Sequence, residues 1–223
     1  MGSVTAREAL GWTQAALAAR LGVSQGYVAL LERGQRQPSD ALTRRLARVL
    51  DLPATTLPAV ARRSTAAADT LAAELADLGY PGFSYLRRRR PRRNPAAVLL
   101  DALATERLDP RVAEALPWLV LAFPDLDWDW LVPRAKQRDL QNRLGYVVSL
   151  ARGVATLQGL DVAGALEARE AFLDRSRLVR EDVFGRSSLT EAERRWLRSN
   201  RPPEAAHWNM LSDLRPEHLV HGS

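Results

Sequence analysis

Gly22 divides residues 13 to 34 into two short amphipathic segments, and this division constrains the fold more than any other feature of the chain. In the first segment Leu17 and Leu21 stand four residues apart, so they share one face of a helix. Ala18, beside Leu17, is small enough to let a second helix cross closely. Gly22 has no Cβ and can adopt the left-handed conformation that ends a helix sharply. These residues predict a short helix that stops at Gly22.

The second segment predicts another short helix, which begins after Ser24. A serine is a good N-cap because its side-chain oxygen accepts a hydrogen bond from a free backbone N–H group. Val23, Val28 and Leu31 are expected to face the core between the two helices. The outward positions at the start of this second helix belong to Gln25, Gly26, Tyr27 and Leu30. Helical spacing allows Leu30 either an outward or a buried position.

Residues 4 to 58 contain three motifs, Leu10-Gly11-Trp12-Thr13-Gln14, Leu21-Gly22-Val23-Ser24-Gln25 and Leu31-Glu32-Arg33-Gly34 followed by Pro38-Ser39. Together these motifs resemble the Cro and phage-repressor (XRE) type of helix-turn-helix regulators. The resemblance covers about a quarter of the chain. It implies an N-terminal five-helix, lambda-repressor-like domain that binds double-stranded DNA.

The resemblance also implies which residues contact DNA. Gln14 would touch a phosphate or a neighbouring base. Gln25 would read a base edge, since a glutamine amide can pair bidentately with adenine. Arg33 and Arg36 would hold phosphates and set the register of the protein on the duplex. The full set of expected contact residues in this domain is Thr13, Gln14, Ser24, Gln25, Gly26, Tyr27, Leu30, Arg33 and Arg36.

Two further expectations follow from the resemblance. Gly26 and Leu30 stand where some repressors carry polar base readers, and the resemblance therefore does not imply an operator sequence. An outward Leu30 would contact a thymine methyl group. Members of the family often pair an arginine of the first helix with the glutamate that matches Glu32. Arg7 is the matching arginine, and a structural Arg7–Glu32 pair is therefore expected.

Residues 87 to 93 form a run of six arginines interrupted by Pro91. Such a run is rarely a folded element, because like charges repel and proline interrupts a helix. One interpretation is an arm that lies along DNA phosphates, with Arg88, Arg89 and Arg90 as contacts. The other is a solvated linker. The neighbouring DNA-binding motif favours the first. The excess of the net charge of +6 lies in residues 1 to 100, where 15 basic residues face 7 acidic ones, and this fits a polyanion partner.

The rest of the chain predicts an all-α protein with no strand. Its composition, with 46% hydrophobic residues, allows a further buried core. Asn94-Pro95 and Asp109-Pro110 each pair an N-cap with a proline in the first turn, and Thr190 with Glu193 has capping-box spacing. Further helices are predicted over residues 64 to 79, 140 to 157, 163 to 179 and 190 to 198. The predicted regions are a DNA-binding domain (1–60), a connecting helix with the arginine-rich linker (61–94) and a separate C-terminal helical domain (95–223).

Residues 123 to 130 alternate aspartates with tryptophans, as the start of a calcium loop does. The sixth position of such a loop requires glycine and the twelfth a bidentate glutamate, but Trp130 and Lys136 stand there. An EF-hand is excluded. Asp125 or Asp127 is expected to cap a helix. The tryptophans nearby are expected either to fill a core or to line a binding face, and they are Trp118, Trp128 and Trp130.

No catalytic, cofactor or metal site is predicted. Arg201 and His207 fit the spacing of the Arg-to-His signature of HEPN ribonucleases, but Pro202-Pro203 would break the helix that normally carries it. His218 and His221 are expected to be solvated, since no carboxylate pair lies near them. The chain has no cysteine, which excludes disulfides and thiolate metal sites.

The expected function is that of a sequence-specific transcription regulator, most simply a repressor. One small helix-turn-helix reads only a few base pairs, so a homodimer on a palindromic operator is expected. The C-terminal domain would supply dimerisation together with a sensing or partner surface. A protein is the favoured partner, because anchor residues are expected at Trp128, Trp130 and the region of Trp208. Resemblance to family members of this layout implies an autoregulating antitoxin with a toxin as that partner.

Three alternatives stay open: a nucleic-acid-processing enzyme of the HEPN type, a ligand-sensing regulator, and an interaction adaptor that does not bind DNA. No apolar run approaches the roughly 18 residues of a membrane span, and no signal-peptide pattern is visible. No membrane partner is therefore expected, and the expected location is the cytoplasm.

Overall fold

The computed structural model describes residues 3–62, 67–87, 92–186 and 189–219. The chain forms two compact units, Met1–Ala59 and Val60–Ser223. Helices dominate both units, and the predicted all-α fold class is confirmed. In these described ranges, no helix is both long enough and apolar enough to cross a membrane.

The N-terminal unit consists of four short α-helices and a 3₁₀ turn. The residues Thr13, Ser24 and Ser39 cap three of the helices, each accepting a hydrogen bond on its side-chain oxygen from a backbone N–H three residues later. The helices are α1 (Ser3–Ala9), α2 (Gln14–Leu21), α3 (Gln25–Glu32) and α4 (Asp40–Val49), and the 3₁₀ turn is Ala54–Thr56.

The core of this unit lies where α2 and α3 cross, and α4 closes it. Gly22 ends α2 with φ of +66°, as predicted, and its N–H bonds the carbonyls of Ala18 and Ala19. Val23 is partly buried against the core. The buried apolar side chains are Ala6, Leu17, Ala18, Leu21, Val28, Leu46 and Leu50. The prediction that residues 13 to 34 form two helices joined by a turn is therefore confirmed.

The second unit is a larger helical assembly in which the predicted N-caps Asn94, Asp109 and Asp127 are confirmed, as is the Thr190–Glu193 capping box. Its helices are α5 (Ala68–Leu78), α6 (Pro95–Leu103), α7 (Pro110–Ala122), α8 (Trp128–Lys136), α9 (Gln141–Gln158), α10 (Ala163–Asp174), α11 (Glu191–Asn200), α12 (Pro203–His207) and α13 (Pro216–Leu219), with a 3₁₀ segment at Pro81–Leu86.

A small strand pair departs from the prediction of no strand. The strands β1 (Asp182–Val183) and β2 (Met210–Leu211) pair in parallel, with Asp182 opposite Met210. Each strand has only two residues, which is too short to produce the alternating pattern from which strands are predicted. The pair joins the segment after α10 to the segment after α12.

The central element of the second unit is α9, which packs against α7, α8, α10, α12 and α13. Its residues from Gln141 to Ala151 are all buried. A helix buried on all sides belongs in the middle of a core. The Tyr146 hydroxyl donates to the carbonyl of Leu214 at 2.9 Å, and burial raises the pKa of that hydroxyl well above its usual range. This bond ties the segment after β2 to α9.

Residues 67 to 86, assigned by the sequence to a connecting region, pack in the core of the second unit. Leu71 and Leu75 of α5 are fully buried in the same cluster as α6, α7 and α9. Arg93 bonds the Glu74 carboxylate at 3.1 Å and the Asp101 carboxylate at 2.9 Å. One arginine of the basic run therefore has a structural role.

The tryptophans of the second unit are mostly core residues. Trp208 is fully buried and Trp128 is nearly so, while Trp118 and Trp130 pack partly buried against the same core. The suggestion that Trp208 anchors a partner is therefore wrong, because none of its surface is accessible. Trp208 instead lies against Gly145 of α9.

The contact between α9 and Trp208 leads to a stability prediction. A Cβ at Gly145 would lie 2.3 to 2.5 Å from carbons of the Trp208 ring, and this buried ring has no room to move. We expect Gly145→Ala to lower the free energy of unfolding by about 1–3 kcal/mol, as overpacking does. Urea unfolding followed by tryptophan fluorescence measures the change.

Gly164→Ala is the matched control, because Gly164 is also helical and a Cβ there would meet nothing within 4 Å. Alanine is the better helix former, so this variant should be neutral or slightly stabilising. Equal stability of the two variants would contradict the close packing of α9 on Trp208.

Candidate nucleic-acid interface

The start of α3 presents an exposed set of side chains. Gln25 and Gly26 are exposed, and Tyr27 is half-buried. Ser24 fixes the start of the helix, since its Oγ accepts from the Tyr27 N–H at 3.2 Å. Leu30 is 37% exposed, so it lies on the outward side, which the sequence left open. The N-terminal half of α3 is thus available to a partner while its other face fills the core.

The start of α2 is the second part of this surface. Thr13 caps α2, with its Oγ1 accepting from the Ala16 N–H at 3.1 Å. Gln14 is half-buried and donates from Nε2 to the Glu32 carboxylate at 2.8 Å. A primary amide carries two N–H donors, so this bond leaves one for a phosphate. The structure therefore gives Gln14 an internal role that the sequence did not predict.

The Glu32 carboxylate holds α1, α2 and α3 together. Arg7 donates from Nε to one carboxylate oxygen at 2.6 Å and from Nη2 to the other at 3.3 Å. Its Nη1 donates to the carbonyl of Trp12 at 2.7 Å. The expected structural Arg7–Glu32 pair is thereby confirmed, and Gln14 completes it.

The electrostatics of this cluster favour the ion pair. Burial by itself would raise the pKa of Glu32, but the hydrogen bonds from Arg7 and Gln14 and the charge of Arg7 outweigh it and hold that pKa below its usual value. The Glu32 hydrogen bond likewise raises the pKa of Arg7. Both groups are therefore charged at neutral pH, and the end of α3 is fixed relative to α1.

Two arginines follow the exposed face of α3. Arg33 and Arg36 are both exposed, and neither forms an ion pair within the described residues. Arg33 donates from Nε to the Ala29 carbonyl at 3.2 Å, which leaves its terminal nitrogens free for other acceptors. Both side chains are therefore accessible to an anion.

A concave site with a volume of about 540 Å³ lies between the starts of α3 and α4. Ser24, Tyr27, Ser39 and Arg45 line it. Arg45 also donates to the Leu21 carbonyl at 2.8 Å, so it secures the end of α2. Arg45 was not predicted from the sequence as a site residue, although its position in the helix after the Pro38-Ser39 motif was a usable signal.

The expected contact residues of the N-terminal unit are thus distributed over the starts of α2 and α3 and the loop after α3. Arg88, Arg89 and Arg90, the expected contacts of the arginine run, lie outside the described residues. Of the same run, Arg87 and Arg92 are exposed.

The ribonuclease-like pair does not share a helix. Arg201 follows the end of α11 and bonds the Glu181 carboxylate and the Met210 carbonyl. His207 is the last residue of α12, and its Nε2 lies 2.9 Å from the Asp174 carboxylate. The two side chains therefore have separate structural partners, in contrast to the arrangement that the HEPN signature implies. Across the described ranges, no three His, Asp or Glu side chains are grouped so as to hold a metal ion.

The Glu32 cluster leads to a prediction about pH. Because the folded-state pKa of Glu32 is lowered, the cluster stabilises the fold above the unfolded-state pKa of about 4.3, and this stability is lost as the pH falls through the folded-state value. In the Glu32→Gln variant, α2 and α3 should unfold more readily at neutral pH. The free energy of unfolding of this variant should also fall less on acidification. Urea titrations at several pH values, read from NMR amide signals of α2 and α3, measure both effects.

Glu8→Gln is the control, since Glu8 also approaches Arg7, at 3.3 Å, but its side chain is 62% exposed. We expect little change there, because exposed ion pairs contribute little. An unchanged pH dependence in Glu32→Gln would contradict the assigned role of the carboxylate.

Comparison with known proteins agrees with this geometry. Residues 5–57 match the Helix-turn-helix family model, whose type is that of the XRE regulators. No curated protein and no solved structure matches the chain. The matched family consists of DNA-binding transcription regulators, and the match supports DNA binding and transcription regulation of this type. The match over residues 5–57 is consistent with a helix-turn-helix segment of the XRE type.

Proposed function

We propose that this chain is a sequence-specific transcription regulator that inserts α3 into the major groove of DNA. The observation that carries the proposal is the exposed start of α3, with Gln25 outward, on a helix whose end is fixed by Glu32. Because the other face of α3 is committed to the core, the helix can present only this side to a duplex. The family match over residues 5–57 supports the same assignment.

The base contacts follow from the exposed side chains. Gln25 carries both a donor and an acceptor, so it can pair with N6 and N7 of adenine. Tyr27 and Leu30 flank it on the same helix, and an outward Leu30 can contact a thymine methyl group. Gly26 brings no side chain between the α3 backbone and the base edges.

The phosphate contacts come from the surrounding elements. The exposed Arg33 and Arg36 lie just beyond α3, and the second N–H of Gln14 lies at the start of α2. Free N–H groups at a helix N-terminus also attract phosphates, which adds the region of Thr13. Such contacts set the register of α3 without reading sequence.

Homodimerisation completes the proposal. An eight-residue α3 is only about 12 Å long and covers a few base pairs. Two copies that bind half-sites one helical turn apart would read a palindromic operator. The second unit has its own large core and is the proposed source of the dimer contact. Occupancy of an operator that overlaps a promoter would make the protein a repressor.

Base reading by Gln25 leads to a prediction about affinity. Gln25→Ala should weaken binding to a duplex selected by the full chain from a randomised pool, by roughly 5- to 150-fold for each half-site, because alanine cannot form the bidentate pair. Its preference at one base position should also disappear. Fluorescence anisotropy on the selected duplex and on its single-base variants measures both.

Gln137→Ala, which changes an exposed glutamine of the second unit, is the control and should bind as the parent does. Retention of full affinity and full base preference by Gln25→Ala would rule out the proposed reading residue.

Phosphate contacts by Arg33 and Arg36 lead to a prediction about salt dependence. Arg33→Gln and Arg36→Gln should weaken binding to all duplexes alike. Each should also lower the slope of log affinity against log salt by about 0.9 for every phosphate that the variant no longer neutralises. Titrations at several salt concentrations measure the slope, with Arg195→Gln of the second unit as a charge-matched control. An unchanged slope in both variants would remove these arginines from the interface.

A further inference from the structure

A second charged region lies entirely within the second unit, in a cavity of about 470 Å³. The turn after α8, the segment between α10 and β1, and α11 meet around it. Its wall carries five arginines against three carboxylates. The arginines are Arg138, Arg143, Arg180, Arg186 and Arg194, and the carboxylates are Glu106, Asp139 and Asp182.

Arg143 forms the buried floor of this cavity. It donates from Nε and Nη2 to the two oxygens of Asp182, at 2.7 and 3.0 Å. Its Nη1 donates to the carbonyls of Leu103 and Thr105, at 2.7 and 3.1 Å. Burial would raise the pKa of Asp182, but the bonds and charge of Arg143 outweigh it and lower that pKa. This pair fixes α9 against β1 and the end of α6.

Three other arginines of the wall have no such partner. Arg138, Arg180 and Arg194 form no ion pair or side-chain hydrogen bond with any residue that the structure describes. They come from three different elements and line the same cavity, and the charge of Arg180 contributes to the lowered pKa of Asp182. Arg186, by contrast, is paired with Asp213 at 2.6 Å. Glu106 and Asp139 also line the wall, and neither lies within ion-pair distance of a described arginine.

Five arginines against three carboxylates leave this concave site with an excess of positive charge. Like charges repel, so this excess costs free energy unless an anion joins it. Guanidinium groups bind phosphate oxygens bidentately, and several together match a multiply charged phosphate better than a single carboxylate. The cavity volume falls in the range of small-molecule sites, roughly 300–1,000 Å³.

The remaining wall is apolar. Ala104, Leu140, Val183 and Leu189 line the same cavity. A phosphate alone would leave these side chains uncovered, whereas an organic group attached to it would contact them. We infer that this cavity binds a small phosphorylated organic molecule, with Arg138, Arg180 and Arg194 on the phosphate. The inference is independent of DNA binding by the N-terminal unit.

The test uses the full chain and pyrophosphate as the probe. Isothermal titration at moderate salt should show saturable binding of one pyrophosphate per chain. Arg180→Gln and Arg194→Gln should each weaken it by about tenfold, since glutamine cannot form the charge-assisted hydrogen bond. Arg138→Gln provides a third variant should one of these fail to fold, and circular dichroism checks the fold of all three.

Arg195→Gln is the matched control, because Arg195 is the exposed neighbour of Arg194 on α11 and does not line the cavity. It should bind pyrophosphate as the parent does. An equal loss in this variant, or the absence of saturable binding in the parent, would overturn the inference.

Two competition arms identify the chemistry of the ligand. Citrate should bind more weakly than pyrophosphate, and equal affinity would contradict the assignment of phosphate. Duplex DNA of unrelated sequence should not displace pyrophosphate. Displacement that depends on Arg180 and Arg194 would make this a nucleic-acid surface and would contradict the small-molecule site.

Discussion

The carboxylate of Glu32 is the contact on which the geometry of the N-terminal unit depends. It accepts hydrogen bonds from Arg7 of α1 and Gln14 of α2, while it belongs to the last turn of α3. Three helices too short to be stable alone are thereby fixed at one point. The proposed base reading requires this rigidity, because a small rotation of α3 would move Gln25 away from the base that it is proposed to read.

The second unit also contains an arginine–carboxylate pair that joins two elements. The pair between the buried Arg143 and the partly buried Asp182 fixes α9 against β1, as Arg7–Glu32 fixes α1 against α3. Arg7 and Arg143 are buried in these pairs, whereas Arg33 and Arg36 in one unit and Arg138, Arg180 and Arg194 in the other form no ion pair with any described residue. Because a buried guanidinium must have partners for its N–H groups, the enclosed arginines organise the structure and the others are available to anions.

Local sequence signals predicted N-caps such as Ser24 and Asn94, because a cap depends only on its neighbours. Ends without such a signal were predicted less well, since the helix predicted over residues 163 to 179 ends at Asp174. The Arg7–Glu32 pair was expected only through the family resemblance. Longer-range features were not predictable. Trp208 lies in the core through contact with a residue 63 positions earlier, Gly145. The two-residue strands and the arginine cavity likewise join segments that are far apart in the chain, and no local pattern marks such contacts.

The proposed function requires that the start of α3 is the surface that meets DNA. Hydrogen–deuterium exchange of the full chain, with and without a duplex selected by that chain, tests this claim directly. We expect the duplex to slow exchange in residues 13–36, most strongly at the start of α3. Specific binding of the duplex with unchanged exchange throughout residues 13–36 would contradict the account.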